Sequence, residues 1–179
     1  KRAINTLEII LKVLEKENQY TKAWELNERN YGGLTGLNKA ETKKKLGEEQ
    51  FKKYRRSWDI PPPILDESSK YSSHNNPLYK GIKNIPNTES LKNTYERVVP
   101  YFLINIKKHL VQNKNVLLSA HGNTIRALGK KIFNISNESI NLLEIPTGNP
   151  LVIDFDSTGK FLSARYLDES RKNKIISNQ

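Results

Sequence analysis

Periodicity and turn chemistry predict an α/β protein built as a single domain over residues 1–179. Three observations carry that reading. Residues 1–18 hold a helical apolar stripe; Asn115-Val116-Leu117-Leu118-Ser119-Ala120 reads as a buried strand that passes through a His121-Gly122 turn into a helix; and two more strand-like runs lie near 151–155 and 161–167. At 20.6 kDa the chain is long enough for one buried core.

Taken in order, Ala3, Ile4, Leu7, Ile10, Leu11 and Leu14 recur at helical spacing, the signature of an amphipathic helix packed on a core. The stretch opens at Lys1-Arg2-Ala3 with neither a Ser, Thr, Asp or Asn cap nor an initiator Met, so the chain reads as cut inside an element. Lys22 to Glu28 alternates roughly as a strand, and Tyr31-Gly32-Gly33-Leu34-Thr35-Gly36 breaks into a glycine-rich loop. Two short helices are expected at 38–46 and 48–57, stopped by Pro61-Pro62-Pro63, because proline lacks the amide donor and disfavours helix just before itself. Residues 64–88 are polar, with scattered Pro and Asn, and form a long surface excursion. Thr88-Glu89-Ser90 starts a helix through Leu91, Tyr95, Val98, Phe102, Ile106 and Leu110, with a kink or break at Pro100. Asn123 is expected to cap the helix from Thr124 to Phe133, another helix starts at Ser136, and Ile145-Pro146-Thr147-Gly148 is a loop. The tail from Arg171 is expected to fray.

Composition narrows the chemistry. With no Cys there is no disulfide, thiolate nucleophile or Cys-ligated zinc, and three His leave little for a His-rich metal site. No apolar run approaches the roughly 18–20 residues of a membrane span. Lys+Arg 30 against Asp+Glu 19 gives +11, a balance suited to a phosphorylated or polyanionic partner. The plain alternative is that runs such as Lys43-Lys44-Lys45 are solvated helix faces.

His121 stands where open α/β sheets bind ligands, beyond a strand's carboxyl end and beside a helix N-terminus that favours anions. Gly122 allows close backbone approach and Asn123 adds a polar side chain, so the trio can hold a phosphoryl or carboxylate group. The competing reading is a histidine satisfying a buried carbonyl. Arg55-Arg56 can grip an anion bidentately, against the alternative of a solvated helix end. Glu28, before the glycine-rich loop, is either a general acid or base or one half of a surface ion pair. His74 and His109 read as solvent-facing.

Seven stretches occur in an order that resembles a known family. They are Leu26-Asn27-Glu28-Arg29-Asn30-Tyr31-Gly32, Gly36-Leu37-Asn38-Lys39-Ala40-Glu41-Thr42, Gly47-Glu48-Glu49-Gln50, Tyr54-Arg55-Arg56-Ser57, Ile60-Pro61-Pro62-Pro63, Ser119-Ala120-His121-Gly122-Asn123 and Ile145-Pro146-Thr147-Gly148. Together they resemble the 2,3-bisphosphoglycerate-dependent phosphoglycerate mutases of the histidine phosphatase superfamily, across nearly the whole chain. The resemblance implies a three-layer α/β sandwich with a mostly parallel central sheet flanked by helices. It also implies a cytoplasmic glycolytic enzyme that interconverts 3-phosphoglycerate and 2-phosphoglycerate through a phosphohistidine, primed by 2,3-bisphosphoglycerate, without a metal, as a homodimer or homotetramer. By that likeness Glu28 exchanges a proton with the substrate hydroxyl. His121 stabilises the transferring phosphoryl group with Gly122 and Asn123 beside it, Arg2 contacts the same group, and Tyr31, Lys39, Arg55 and Arg56 hold the substrate's carboxylate and phosphate.

The sequence departs from the family pattern at four places. Asn30 stands where LNERHYG has His, Leu34-Thr35-Gly36 replaces LQG, and Thr124 replaces the Ser of HGNS. The fourth departure is larger: the Arg-His-Gly segment that carries the family's phosphorylated histidine does not occur, and neither His74 nor His109 has its neighbours. The 179 residues alone are therefore expected to be N-terminally incomplete and to lack mutase turnover. Two other readings stand beside this one. A broad-specificity phosphatase of the same superfamily would need fewer substrate-gripping cations, and a non-enzymatic basic module would account for the charge but lacks aromatic-interleaved basic motifs for nucleic acid.

Overall fold

The computed structural model describes residues 1–17, 19–172 and 176. The chain forms two compact units, one from residues 1–28 and 97–179 and the other from residues 29–96.

In the first unit, helix α1 (Arg2–Val13) starts at Lys1 with no side-chain cap, as its sequence implies. Its stripe of Ala3, Ile4, Leu7, Ile10 and Leu11 is only half-buried, and Leu14 lies outside the helix and is exposed. The Ser119 hydroxyl donates to the Ala3 carbonyl at 2.8 Å, which ties the first turn of α1 to the segment leading into His121. The expected strand at 22–28 is instead extended chain interrupted by a 3₁₀ turn over Trp24–Leu26. Alternation alone cannot make a strand without a partner to pair with.

Helix α4 (Leu91–Tyr101) passes from the second unit into the first. Pro100 sits inside it, and the chain widens immediately afterwards into a π turn over Phe102–Ile106 before helix α5 (Lys107–Leu110). The missing proline amide removes one i→i−4 bond, and the π turn absorbs the break. Residues 115–120 join no ladder and form neither helix nor turn.

Helix α6 (Gly122–Ile132) begins two residues before the expected Thr124, with His121 at the cap position. Asn123 is therefore not the cap. It lies within the first turn, where its Oδ1 accepts a 2.6 Å bond from Arg126 Nη1. The core forms around α6: Ala127, Leu128, Phe133, Ile140 and Leu143 are buried, as are Val98, Val99 and Phe102. No α-helix starts at Ser136; that stretch makes a 3₁₀ turn at Ile140–Leu142.

Strands β1 (Leu151–Phe155) and β2 (Phe161–Tyr166) pair antiparallel, from Leu151 opposite Tyr166 to Phe155 opposite Phe161, with a bulge between Asp154 and Phe155. The mixed α/β class thus holds, but the mostly parallel sheet that the family resemblance implies is not formed among the described residues, whose sheet is this antiparallel pair. Phe155 meets Phe102 at 6.3 Å and Phe161 meets Phe133 edge-on at 5.2 Å, so the hairpin closes over the same core. A short 3₁₀ turn follows at Glu169–Arg171, and the expected fraying beyond it falls mostly outside the described residues.

In the second unit, α2 (Lys39–Leu46) and α3 (Glu48–Arg56) lie where sequence placed them. Asn38 caps α2 by accepting from the Ala40 and Glu41 amides at 2.9 and 3.3 Å. The long excursion carries 3₁₀ turns at Ser73–Asn75 and Pro77–Tyr79. Asn30, the residue that departs from the family pattern, organises the glycine-rich loop. Its Nδ2 donates to Pro86 O at 2.6 Å, its Oδ1 accepts from the Gly32 amide at 2.9 Å, and its own amide donates to Glu89 Oε2 at 2.7 Å. Trp58 packs edge-on against Tyr95 at 5.5 Å.

Gly32 has φ +53°, and a Cβ there would lie 2.2 Å from the Pro63 carbonyl oxygen and 2.6 Å from Thr88 Oγ1. Gly47 has φ +79°, yet a Cβ there would meet open space. With ψ 157° that backbone lies in a region essentially reserved for glycine, so Gly47→Ala is expected to cost about 1–3 kcal/mol through backbone strain alone. Gly32→Ala should cost more, because neighbouring backbone must also move. Urea denaturation of the two variants side by side checks the order, and equal losses would contradict it.

Candidate active site

The first unit gathers Glu28, His121, Gly122, Asn123 and Arg2. The extended backbone of His121 (φ −118°, ψ 162°) turns into α6, so its carbonyl accepts the first helical bond, from Ile125 N at 2.9 Å, while its ring stays half-buried. Burial pushes the imidazole below its ordinary 6.5. The Glu28 carboxylate opposes that shift, while the Arg2 guanidinium reinforces it. A carboxylate, a guanidinium and an imidazole thus act on one another at the entrance of a helix whose open amides favour an anion. Arg2 is exposed on the first turn of α1, which the Ser119–Ala3 bond holds to this end of the unit.

Asn123 is buried at the first turn of α6, and its partner Arg126, also buried, donates through Nε to Leu143 O at 2.8 Å. Sequence reasoning passed over Arg126. The signal was present in its i+3 spacing from Asn123, which places both side chains on one helix face.

Sequence reasoning also passed over Arg97, whose guanidinium donates to the carbonyls of Glu25, Asn27 and Glu28. Thr124, a helix position that also replaces the family's Ser, reaches Leu26 O and Asn27 O through its hydroxyl. No local pattern announces such contacts, because their partners lie 69 to 98 residues away in sequence.

The second unit holds the remaining candidates. Tyr31 presents its ring to two guanidiniums, Arg29 at 4.6 Å and Arg55 at 4.8 Å. Arg29 is buried and donates to the Tyr54 and Arg55 carbonyls at 3.0 and 3.2 Å, which satisfies the C-terminal end of α3 where positive charge is favoured. That contact fixes the helix end carrying Arg55 and Arg56, both half-buried. Lys39 is exposed at the start of α2. The structure therefore brings Tyr31 and Arg55 into contact, with Arg56 following Arg55 in the chain, while Lys39 stands exposed at the first position of α2.

His74 is exposed in the second unit, as expected, whereas His109 is half-buried on α5. The proline-induced turn before α5 sets which face His109 presents, a consequence periodicity could not supply. Neither is among the groups acting on His121. Among the described residues no group of three or more His, Cys, Asp or Glu is placed to hold a metal ion, and no helix is long and apolar enough to cross a membrane.

Comparison with known families adds the decisive observation: the family model for the histidine phosphatase superfamily (branch 1) matches residues 1–167. The chain belongs to the histidine phosphatase superfamily. Curated relatives of this superfamily member include a protein of Pelagibacter ubique, 50% identical over 177 residues, which are 98% of this chain and 74% of that protein. One of Hyphomonas neptunium is 49% identical over 175 residues, 97% of this chain and 73% of the relative. One of Treponema denticola is 50% identical over 175 residues, 96% of this chain and 71% of the relative. All three relatives are named 2,3-bisphosphoglycerate-dependent phosphoglycerate mutase.

Because Glu28 raises the His121 pKa while burial and Arg2 lower it, Glu28→Gln should drop the imidazole further and Arg2→Ala should raise it. Proton NMR titration of the three His reads both directions. A folded pKa below the unfolded 6.5 means the unfolded chain binds the proton first. His121's contribution to stability is thus present above pH 6.5 and is lost as pH falls from there through the lower folded value. His121→Asn should flatten this part of the pH–stability curve, which denaturant melts between pH 5 and 8 would record.

Proposed function

We propose that this protein interconverts 3-phosphoglycerate and 2-phosphoglycerate as a 2,3-bisphosphoglycerate-dependent phosphoglycerate mutase. The observation that carries the proposal is the grouping of Glu28, His121 and Arg2 at the start of α6. The names of relatives about 50% identical support it.

Phosphoryl transfer leaves a protein mainly to position groups and neutralise charge. On this reading the phosphoryl group travels on the phosphohistidine that the family resemblance implies. Its P–N bond breaks as a P–O bond forms to the substrate hydroxyl, whose proton Glu28 takes. When the other phosphoryl group of the resulting bisphosphate returns to that histidine, Glu28 gives the proton to the alkoxide oxygen left behind. His121, kept neutral near pH 7 by burial, donates a hydrogen bond to a phosphoryl oxygen. Arg2 and the amides of Gly122 and Asn123 stabilise the same charge. Tyr31, Lys39, Arg55 and Arg56 grip the substrate's carboxylate and remaining phosphate, a task suited to guanidiniums pre-ordered on an aromatic ring. The donor set suits 2,3-bisphosphoglycerate, a small polyanion, as primer: it consists of cations, amides and one imidazole. No metal has a part in this scheme. A cytoplasmic enzyme assembled as a homodimer or homotetramer completes the proposal.

Phosphorus NMR of the whole natural protein with 3-phosphoglycerate, with and without the primer, tests this reading. The expected result is 2-phosphoglycerate formation that depends on the primer and persists in chelator; release of inorganic phosphate alone would assign a phosphatase instead. His121→Asn should lower kcat by about 10²–10³-fold. Glu28→Gln should lower it by about 10²–10⁴-fold, as loss of a general acid–base group does.

A further inference from the structure

Residues 25–28 precede no strand and have no ladder, so the segment that ends in Glu28 needs other donors for its carbonyls. Two side chains supply them. Arg97 Nη1 donates to Glu25 O at 2.5 Å and Asn27 O at 3.1 Å, and its Nη2 donates to Glu28 O at 3.3 Å. Thr124 Oγ1 reaches Asn27 O at 2.8 Å and Leu26 O at 3.2 Å. Four consecutive carbonyls are thus held from two points. The Arg97 guanidinium also lies over the Trp24 ring, 6.0 Å from its centre. Thr124 is fully buried, three residues after His121 on the same helix turn.

We propose that Arg97, seconded by Thr124, is the positioning residue that sets the Glu28 carboxylate against His121. The inference rests on the mutase reading for its catalytic consequence, though not for its geometry. The chemistry selects arginine: the targets are acceptors only, they diverge, and a planar fork that is always charged and has no acceptor of its own can serve several at once. Lysine could occupy one carbonyl as a point charge but could not span the segment. Because Thr124 extends from the helix that His121 opens, the clamp references Glu28 directly to the imidazole. Loosening it leaves the carboxylate present but misplaced, an error that costs on the order of 10²-fold for a displacement of about 1 Å.

The test uses the whole natural protein carrying Arg97→Met, Arg97→Lys or Thr124→Val, each in the wild-type and Glu28→Gln backgrounds. Kinetics with 3-phosphoglycerate and NMR titration of His121 are the two readouts. Arg97→Met should lower kcat by about tenfold or more with KM within about threefold. It should also lower the His121 pKa, since Glu28 is the group that raises it. Removing a positive charge near an imidazole moves its pKa upward, so the downward direction separates loss of Glu28 from a direct effect of Arg97. In the Glu28→Gln background both effects should vanish, and Arg97→Lys should recover part of each. An unmoved His121 titration, or equal changes in both backgrounds, would overturn the proposal in favour of a purely structural arginine. If Arg97→Met does not fold, Thr124→Val is read by the same criteria. A wild-type protein that fails to convert 3-phosphoglycerate would sink the mutase reading, while the titration arm would still decide whether Arg97 sets Glu28 against His121.

Discussion

Backbone carbonyls that belong to no helix or sheet must be satisfied by something, and in this protein that constraint shapes the neighbourhood of the site. The segment ending in Glu28 is held by the Arg97 fork and the Thr124 hydroxyl. Arg97 comes from α4 and Thr124 from α6, and the buried residues of those two helices, Val98, Val99, Ala127 and Leu128, make up much of the first unit's core. Apolar packing therefore fixes where the donors stand, and the donors fix where the carboxylate-bearing loop runs. The core and the chemistry are joined through a few hydrogen bonds rather than through a continuous sheet.

The second unit solves the same problem differently. Its glycine-rich loop is stitched by Asn30, which uses its amide nitrogen, its carbonyl oxygen and its backbone amide, and Gly32 admits the Pro63 carbonyl where any Cβ would collide. The buried Arg29 then satisfies the last carbonyls of α3 and shares the Tyr31 ring with Arg55. Through Nη2 this buried guanidinium acts as an internal strut for the end of α3, and Arg55 lies beside it against the same ring. Two arginines on one ring thus differ in surroundings: Arg29 is buried and orders backbone, while Arg55 is half-buried.

The high net charge of +11 is consistent with an anionic substrate without demanding one. Several of the exposed Lys residues are engaged in surface ion pairs, such as Lys43 with Glu48 at 2.9 Å and Lys53 with Glu49 at 2.8 Å. Pairs of this kind contribute little to stability, about 0–1 kcal/mol each, so the specific information lies in the half-buried arginines and not in the Lys runs.

Local chemistry was legible in the sequence wherever a feature is completed within a few residues. Helices α2 and α3, the change of helix geometry just past Pro100 and the two strands near 151–155 and 161–167 depend on neighbours close in sequence, and they lie where their patterns place them. His121, Gly122 and Asn123 at a helix entrance were legible for the same reason. What a strand becomes depends on distant partners, so 22–28 and 115–120 could look like strands and still form a 3₁₀ turn and an unpaired stretch. The role of Asn123 turned on Arg126 and not on capping, because the helix started at His121. Sequence by itself determined the residue types able to move a proton and neutralise phosphate. Only the tertiary structure decided that the segment ending in Glu28 runs beside the helix that His121 opens, because the bonds tying its carbonyls to Arg97 and Thr124 span 69 to 98 residues of intervening chain.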